Sequence, residues 1–157
     1  MIVSLDKIDY QILKRLIEDG RTSYRAIADE TELTDVAIKK RVDALKRKGV
    51  IASISANLDL SVLGFEKPVF AQVRTDLSKH RDVLKKVESF EHVAEVYQTM
   101  GEYNMLLKAV LPDMESTKEF LERLGSLDGV LDMKSMIVLD KVKSTNSLPS
   151  TVLQKRL

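Results

Sequence analysis

Apolar residues in the first third of the chain recur at helical spacing. In LDKIDYQILKRLIEDGR, Leu5, Ile8, Ile12, Leu13, Leu16 and Ile17 follow one stripe, and Gly20 supplies a stop. SYRAIADET reads as a short second helix, with Ser23 as its N-cap and Ile27 and Ala28 facing inward. A turn at Glu32-Leu33 leads to a third helix. Thr34 is its N-cap, Asp35 complements the positive end of its dipole, and it runs to about Lys48, with Gly49 as the residue past its end.

After Gly49 the period changes. VIASISANLDL alternates loosely and suits a linker strand or an extended connector. Val69, Ala71 and Val73 share one side of a strand in GFEKPVFAQVRTD. SKHRDVLKKVESF is a helix on Val83, Leu84 and Val87. HVAEVYQTMG and YNMLLKAVL are strands with only Gly101-Glu102 between them, which reads as a hairpin. DMESTKEFLERLGSL is a helix using Met114, Phe120, Leu121 and Leu124, and VLDMKSMIVLDKVK closes as a strand. The order is β-α-β-β-α-β, the ferredoxin-like plan. The expected class is therefore α+β. A three-helix domain spans 1–50, a linker strand 51–64, a ferredoxin-like domain 65–143, and a loosely held polar tail containing Pro149 spans 144–157.

Composition narrows the classes. The chain has 157 residues and a net charge of +1, so nucleic-acid binding has to come from local placement of charge. The absence of cysteine removes disulfides, thiolate metal sites and Cys nucleophiles, and it fits a reducing cytoplasm. No apolar run is long enough to span a membrane, and MIVSLDKIDYQIL does not read as a secretory signal. His80 and His92 sit in polar stretches and read as solvated surface residues. No nucleophile, base or metal set converges, so neither an enzyme nor a cofactor is expected.

Local charge is what stands out. Between Thr31 and Ile51, six residues are Lys or Arg, yet Ile38, Val42 and Leu45 keep a dry stripe. On a wheel of 100° per residue the opposite side collects Val36, Lys40, Asp43 and Arg47, flanked by Ala37, Lys39 and Ala44. Small residues at the N-terminal end permit close approach to bases and can touch thymine methyls. Lys40 can reach a base edge or a phosphate, and Lys46, Arg47 and Lys48 can grip the backbone. Arg41 faces sideways. It either covers the apolar face and pairs with an acid of the first helix, or contacts phosphate. Three helices with a tight turn before the third make a helix-turn-helix. Its expected DNA-facing residues are Ser23, Tyr24, Arg25, Thr34, Asp35, Val36, Ala37, Lys39, Lys40, Arg41 and Arg47.

The blocks LDKIDYQIL, EDGRTSYRAIA, LTDVAIKKRVDALKRKGVI, VYQTMGEYNMLLKAV and MIVLDKVK, in that order and at those separations, resemble the Lrp/AsnC, or feast/famine, transcription regulators of bacteria and archaea. The resemblance runs from about Leu5 to about Leu148. It implies a sequence-specific regulator of double-stranded DNA with a C-terminal effector-binding and assembly domain. It implies homodimers formed through the sheets, assembling to tetramers or octamers. It also implies a small effector, commonly an amino acid, bound between dimers near Thr99, Met100, Gly101, Glu102, Tyr103 and Asn104. Read from the residues alone, Gly101-Glu102 is first a tight turn; Gly101 also permits close backbone approach, and Thr99 offers a hydroxyl. The family usually carries Asp where this chain has Asn104. A neutral amide gives an α-ammonium group no full charge, so Asn104→Asp is expected to tighten amino-acid binding, and Gly101→Val to crowd the pocket.

The alternative function is an Lrp-like DNA-binding regulator with no small-molecule effector. A dimer is expected as the smallest stable species, because helices on one sheet face leave the other open. Val69, Ala71 and Val73, with Met105 and Leu107 or their neighbours, are expected to supply more apolar surface than one helical layer needs, and so to mark that interface.

Overall fold

A computed structural model describes residues 3–65 and 68–143. The tail expected at 144–157 lies outside the described residues. Residues up to Asn57 belong to one compact unit, and Leu58–Val142 form another.

The first unit holds α1 (Lys7–Glu18), α2 (Tyr24–Thr31) and α3 (Asp35–Arg47). Each helix starts on a side-chain cap. Asp6 accepts from the Asp9 amide, Ser23 from that of Ala26, and Thr34 from that of Ala37. The end of α3 is closed from the backbone. Gly49 donates to the Lys46 carbonyl and Val50 to that of Leu45, each at 2.9 Å, the paired bonds of a Schellman motif. Ile12, Leu13, Ile27, Ala28, Ile38, Val42, Leu45 and Ile51 form the core. Truncating a fully buried member such as Ile38 to Ala costs about 2–5 kcal/mol.

Of the two readings of residues 51–64, a linker strand or an extended connector, the second is the one seen among the described residues. Residues 52–59 pair with no other described strand, and residues 60–63 turn. Alternation along VIASISANLDL did not suffice, because a strand needs a partner for its amides and carbonyls.

The second unit runs β1 (Val69–Thr75), α4 (His80–Glu88), β2 (Val93–Gln98), β3 (Met105–Ala109), α5 (Met114–Gly125) and β4 (Val130–Ile137). The sheet is antiparallel throughout, in the order β2-β3-β1-β4. Its core joins Val69, Ala71, Val73, Met105, Leu107 and Ala109 to Val83, Leu84 and Val87 of α4 and to Phe120 and Leu124 of α5. Thr117, rather than Met114, completes the inner face of α5, and Met114 is exposed.

The register corrects the expected open face at the five named positions and leaves their neighbour Leu106 on it. Val69, Ala71, Val73, Met105 and Leu107 are at most 1% exposed, because they lie in the core beneath the helices. Successive strand residues alternate faces, so Phe70, Gln72, Leu106 and Lys108, with Tyr97 and Met136, line the opposite one. Tyr97 and Met136 are exposed there, and Phe70 and Leu106 half-buried. Glu95 bridges this face, accepting from Lys108 Nζ at 2.8 Å and from the Tyr97 hydroxyl.

Candidate nucleic-acid interface and effector loop

The outer face of α3 is cationic and unpaired. Lys39, Lys40, Lys46, Arg47 and Lys48 are all exposed, and none makes an ion pair among the described residues. Val36, in the first turn, is 57% exposed with Ala37 half-buried beside it. Buried Ile38, Val42 and Leu45 hold the helix from behind, so the cations project by periodicity alone. Arg25 is likewise exposed and unpaired among the described residues, on the first turn of α2.

Other residues expected at DNA have structural duties. Ser23 and Thr34 spend their hydroxyl oxygens on caps at 3.1 and 3.2 Å. Asp35 accepts from the Val36 amide, and Tyr24 packs against the core. Arg41 turns toward α1, where its Nη1 lies 2.7 Å from Asp6 and 2.8 Å from Asp9. The two carboxylates hold the guanidinium pKa above its usual value. Asp6 lies below the ordinary carboxylate range, chiefly through the Asp9 amide and then through Arg41. Of the two sequence readings of Arg41, pairing with acids of the first helix is the one seen in the fold.

The link between β2 and β3 is a six-residue loop, Thr99–Asn104, not the two-residue hairpin that Gly101-Glu102 suggested. The ladder stops at the Gln98–Met105 pair. Beyond it Thr99 donates its amide to the Asn104 carbonyl at 3.1 Å and its hydroxyl to that of Tyr103 at 2.7 Å. The Thr99 hydroxyl is thus engaged within the loop. Met100 is fully exposed, and a Cβ at Gly101 would meet no described atom within 4 Å, so the first atom of a side chain there is not crowded by the described residues.

Tyr103 reaches across the sheet end and donates to Asp132 at 2.6 Å, which lowers the Asp132 pKa, while Lys134 stands 4.3 Å from its ring centroid. Arg74 and Glu102 approach at 4.0 Å. Asn104 is half-buried and bonded to Thr75. The Thr75 hydroxyl also meets His80 Nδ1 at 2.7 Å, so His80 is half-buried in this network rather than solvated. Sequence reasoning missed Thr75, Asp132 and Lys134, because only strand register brings them to the loop, and His80, which reaches it through Thr75 from the start of α4.

A capped helix-turn-helix whose third helix shows an outer cationic face unpaired among the described residues, joined to an antiparallel ferredoxin-like domain, defines a DNA-binding regulator with a separate sensing or assembly module. Residues 5–46 match the AsnC-type helix-turn-helix domain, and residues 68–148 match the Lrp/AsnC ligand binding domain. The chain belongs to the Lrp/AsnC family of transcriptional regulators. It is 35% identical to the HTH-type transcriptional regulator FL11 of Pyrococcus abyssi, over 95% of this chain and 99% of that one. It is 34% identical to the HTH-type transcriptional regulator Ptr1 of Methanocaldococcus jannaschii, over 92% of this chain and 99% of that one. Among solved structures, a Neisseria meningitidis transcriptional regulator determined as an L-Met complex superposes with a TM-score of 0.86 at 28% identity, covering 96% of this chain and 99% of that one. Escherichia coli AsnC shares the fold, with a TM-score of 0.86 at 23% identity, over 94% and 100% of the two chains.

Proposed function

We propose that this regulator reads operator DNA with the outer face of α3 and that a small effector, an amino acid or related metabolite, adjusts its occupancy or assembly. The observation that carries the DNA reading is the unpaired cationic face behind an exposed Val36. Val36 and Lys40 face the groove, and Arg47, Lys39 and Arg25 grip phosphate. The working species is a homodimer built on the open sheet face of Phe70, Leu106, Tyr97 and Met136, assembling to tetramers or octamers in the cytoplasm. Apolar exposure on that face supports this reading.

The effector is received at the sheet end that carries Glu102 and Tyr103, and the L-Met complex of the Neisseria relative supports the choice of ligand class. A regulator without an effector is favoured by one observation: Thr99 and Asn104 already spend polar groups inside the protein.

Footprinting on the protein's own promoter tests the DNA reading; protection no different from that of random DNA would sink it. Melting with a panel of amino acids separates the two effector readings. A ligand at 100 times its dissociation constant adds about 2.7 kcal/mol, and a flat panel favours the effector-free regulator. Sedimentation as a monomer at micromolar concentration would remove the dimer.

A further inference from the structure

Of the cations on α3, Arg41 alone is half-buried, and a single atom of it touches both carboxylates of another helix. Its Nη1 lies 2.7 Å from Asp6 Oδ2 and 2.8 Å from Asp9 Oδ1. Those acids are also the capping box of α1. Asp6 Oδ1 accepts from the Asp9 amide at 2.7 Å, and Asp9 Oδ2 from the Asp6 amide at 3.4 Å. Each carboxylate therefore gives one oxygen to its own helix start and the other to α3.

Apolar contacts hold α1 against α3 through Ile12, Leu13, Ile38 and Val42, but such contacts are non-directional. Close packing of Ile38, Val42 and Leu45 opposes large rotations of α3, while fine adjustment of its angle is left to directional contacts. An ion pair with hydrogen-bond geometry is directional, and its best-attested use is to fix register. Rotation of α3 decides which of Val36, Lys40 and Arg47 points outward.

We infer that Arg41 is a positioning residue for operator recognition, setting the rotation of α3 through Asp6 and Asp9 and touching no phosphate. This rests on α3 being the DNA-reading helix.

Substitutions on α1 provide the test. An operator is first selected from random duplexes with the wild-type full chain. Asp6→Asn, Asp9→Asn, Arg41→Ala and Arg41→Lys are then compared with it on operator and on scrambled duplex across a salt series. All titrations are run where circular dichroism finds each variant folded.

Operator affinity is expected to fall roughly tenfold in Asp9→Asn, about the discrimination of one base contact, with scrambled-duplex affinity and salt slope unchanged. Arg41→Lys is expected to recover much of the ratio lost in Arg41→Ala, since one ammonium can bridge both acids. A phosphate role for Arg41 gives the opposite signs. Asp9→Asn would then free the guanidinium and tighten both duplexes, and Arg41→Ala would reduce the salt slope by about 1. That result overturns the inference. So do variants that melt earlier yet keep the wild-type operator-to-scrambled ratio. A wild-type protein that enriches no sequence overturns the reading of α3 itself, and is seen before any variant is made.

Discussion

Asn104 and Thr75, 29 positions apart in sequence, are joined by three hydrogen bonds. The Asn104 side-chain Oδ1 accepts from the Thr75 amide and hydroxyl, each at 3.0 Å, and its Nδ2 donates to the Thr75 backbone carbonyl at 3.3 Å. Both ends of the carboxamide are in use, so the side chain ties the Thr99–Asn104 loop to the end of β1.

Asn104→Asp is therefore expected to weaken the fold. A carboxylate can accept from the Thr75 amide but cannot donate to its carbonyl, and it sets negative charge against that oxygen. The expected loss is about 1 kcal/mol at neutral pH, read by denaturant titration. A variant at least as stable as wild type would show that this bonding contributes nothing. The same bonds bear on the expectation that Asp here tightens amino-acid binding: a carboxylate that turned to a ligand's ammonium group would give up its bonds from Thr75.

Two glycines of the second unit separate strain from crowding. Gly129 has φ +100, and a Cβ there would lie 2.7 Å from Lys79 Cβ and 3.0 Å from Val83 Cγ2. Gly101 has φ +130 and open space around it. Alanine at Gly101 should cost about 1 kcal/mol, from backbone strain alone. Alanine at Gly129 adds overpacking and should cost about 2–4 kcal/mol. Equal losses at the two sites would contradict the close approach at Gly129.

The opposite substitution should help the first unit. Glu32 caps α2 with φ 57, a left-handed conformation that burdens a residue with a Cβ. Glu32→Gly relieves that strain but adds freedom to the unfolded chain, for a net gain of about 0.5–1 kcal/mol. Thermal melts should rise by a few degrees, and a fall would mean that the Glu32 side chain stabilises the turn in another way.

Lys40 and Arg47 should fail differently at DNA. Arg47→Ala is expected to weaken all duplexes alike and reduce the salt slope by about 1. Lys40→Ala, nearer the groove-entering end, should change sequence preference by about 1–3 kcal/mol at one position. Equal, sequence-independent losses would count against this placement of α3.

Local chemistry made the first unit legible. Ser23, Thr34 and Gly49 act within four residues of themselves, so their caps are written in short stretches of sequence. The length of the Thr99–Asn104 loop was misjudged because its ends are set elsewhere: Asn104 bonds to Thr75, and Tyr103 to Asp132. Nothing near Gly101-Glu102 shows that the ladder stops at Gln98. Period-two alternation grouped Val69, Ala71 and Val73 on one face but was silent on whether helices or solvent covered it. For Arg41 the wheel left two readings, because the deciding partners lie on another helix, 32 and 35 positions away.

The Schellman closure after α3 has a thermodynamic consequence. Thr34 finishes one end of the helix and Gly49 the other, with Lys46, Arg47 and Lys48 gathered beside the carbonyl end, where the helix dipole is negative. The element proposed to read DNA is thus preorganised, with little backbone disorder left to lose on docking. Association at this element should resemble rigid-body docking in its calorimetry, with a heat-capacity change far below that of coupled folding.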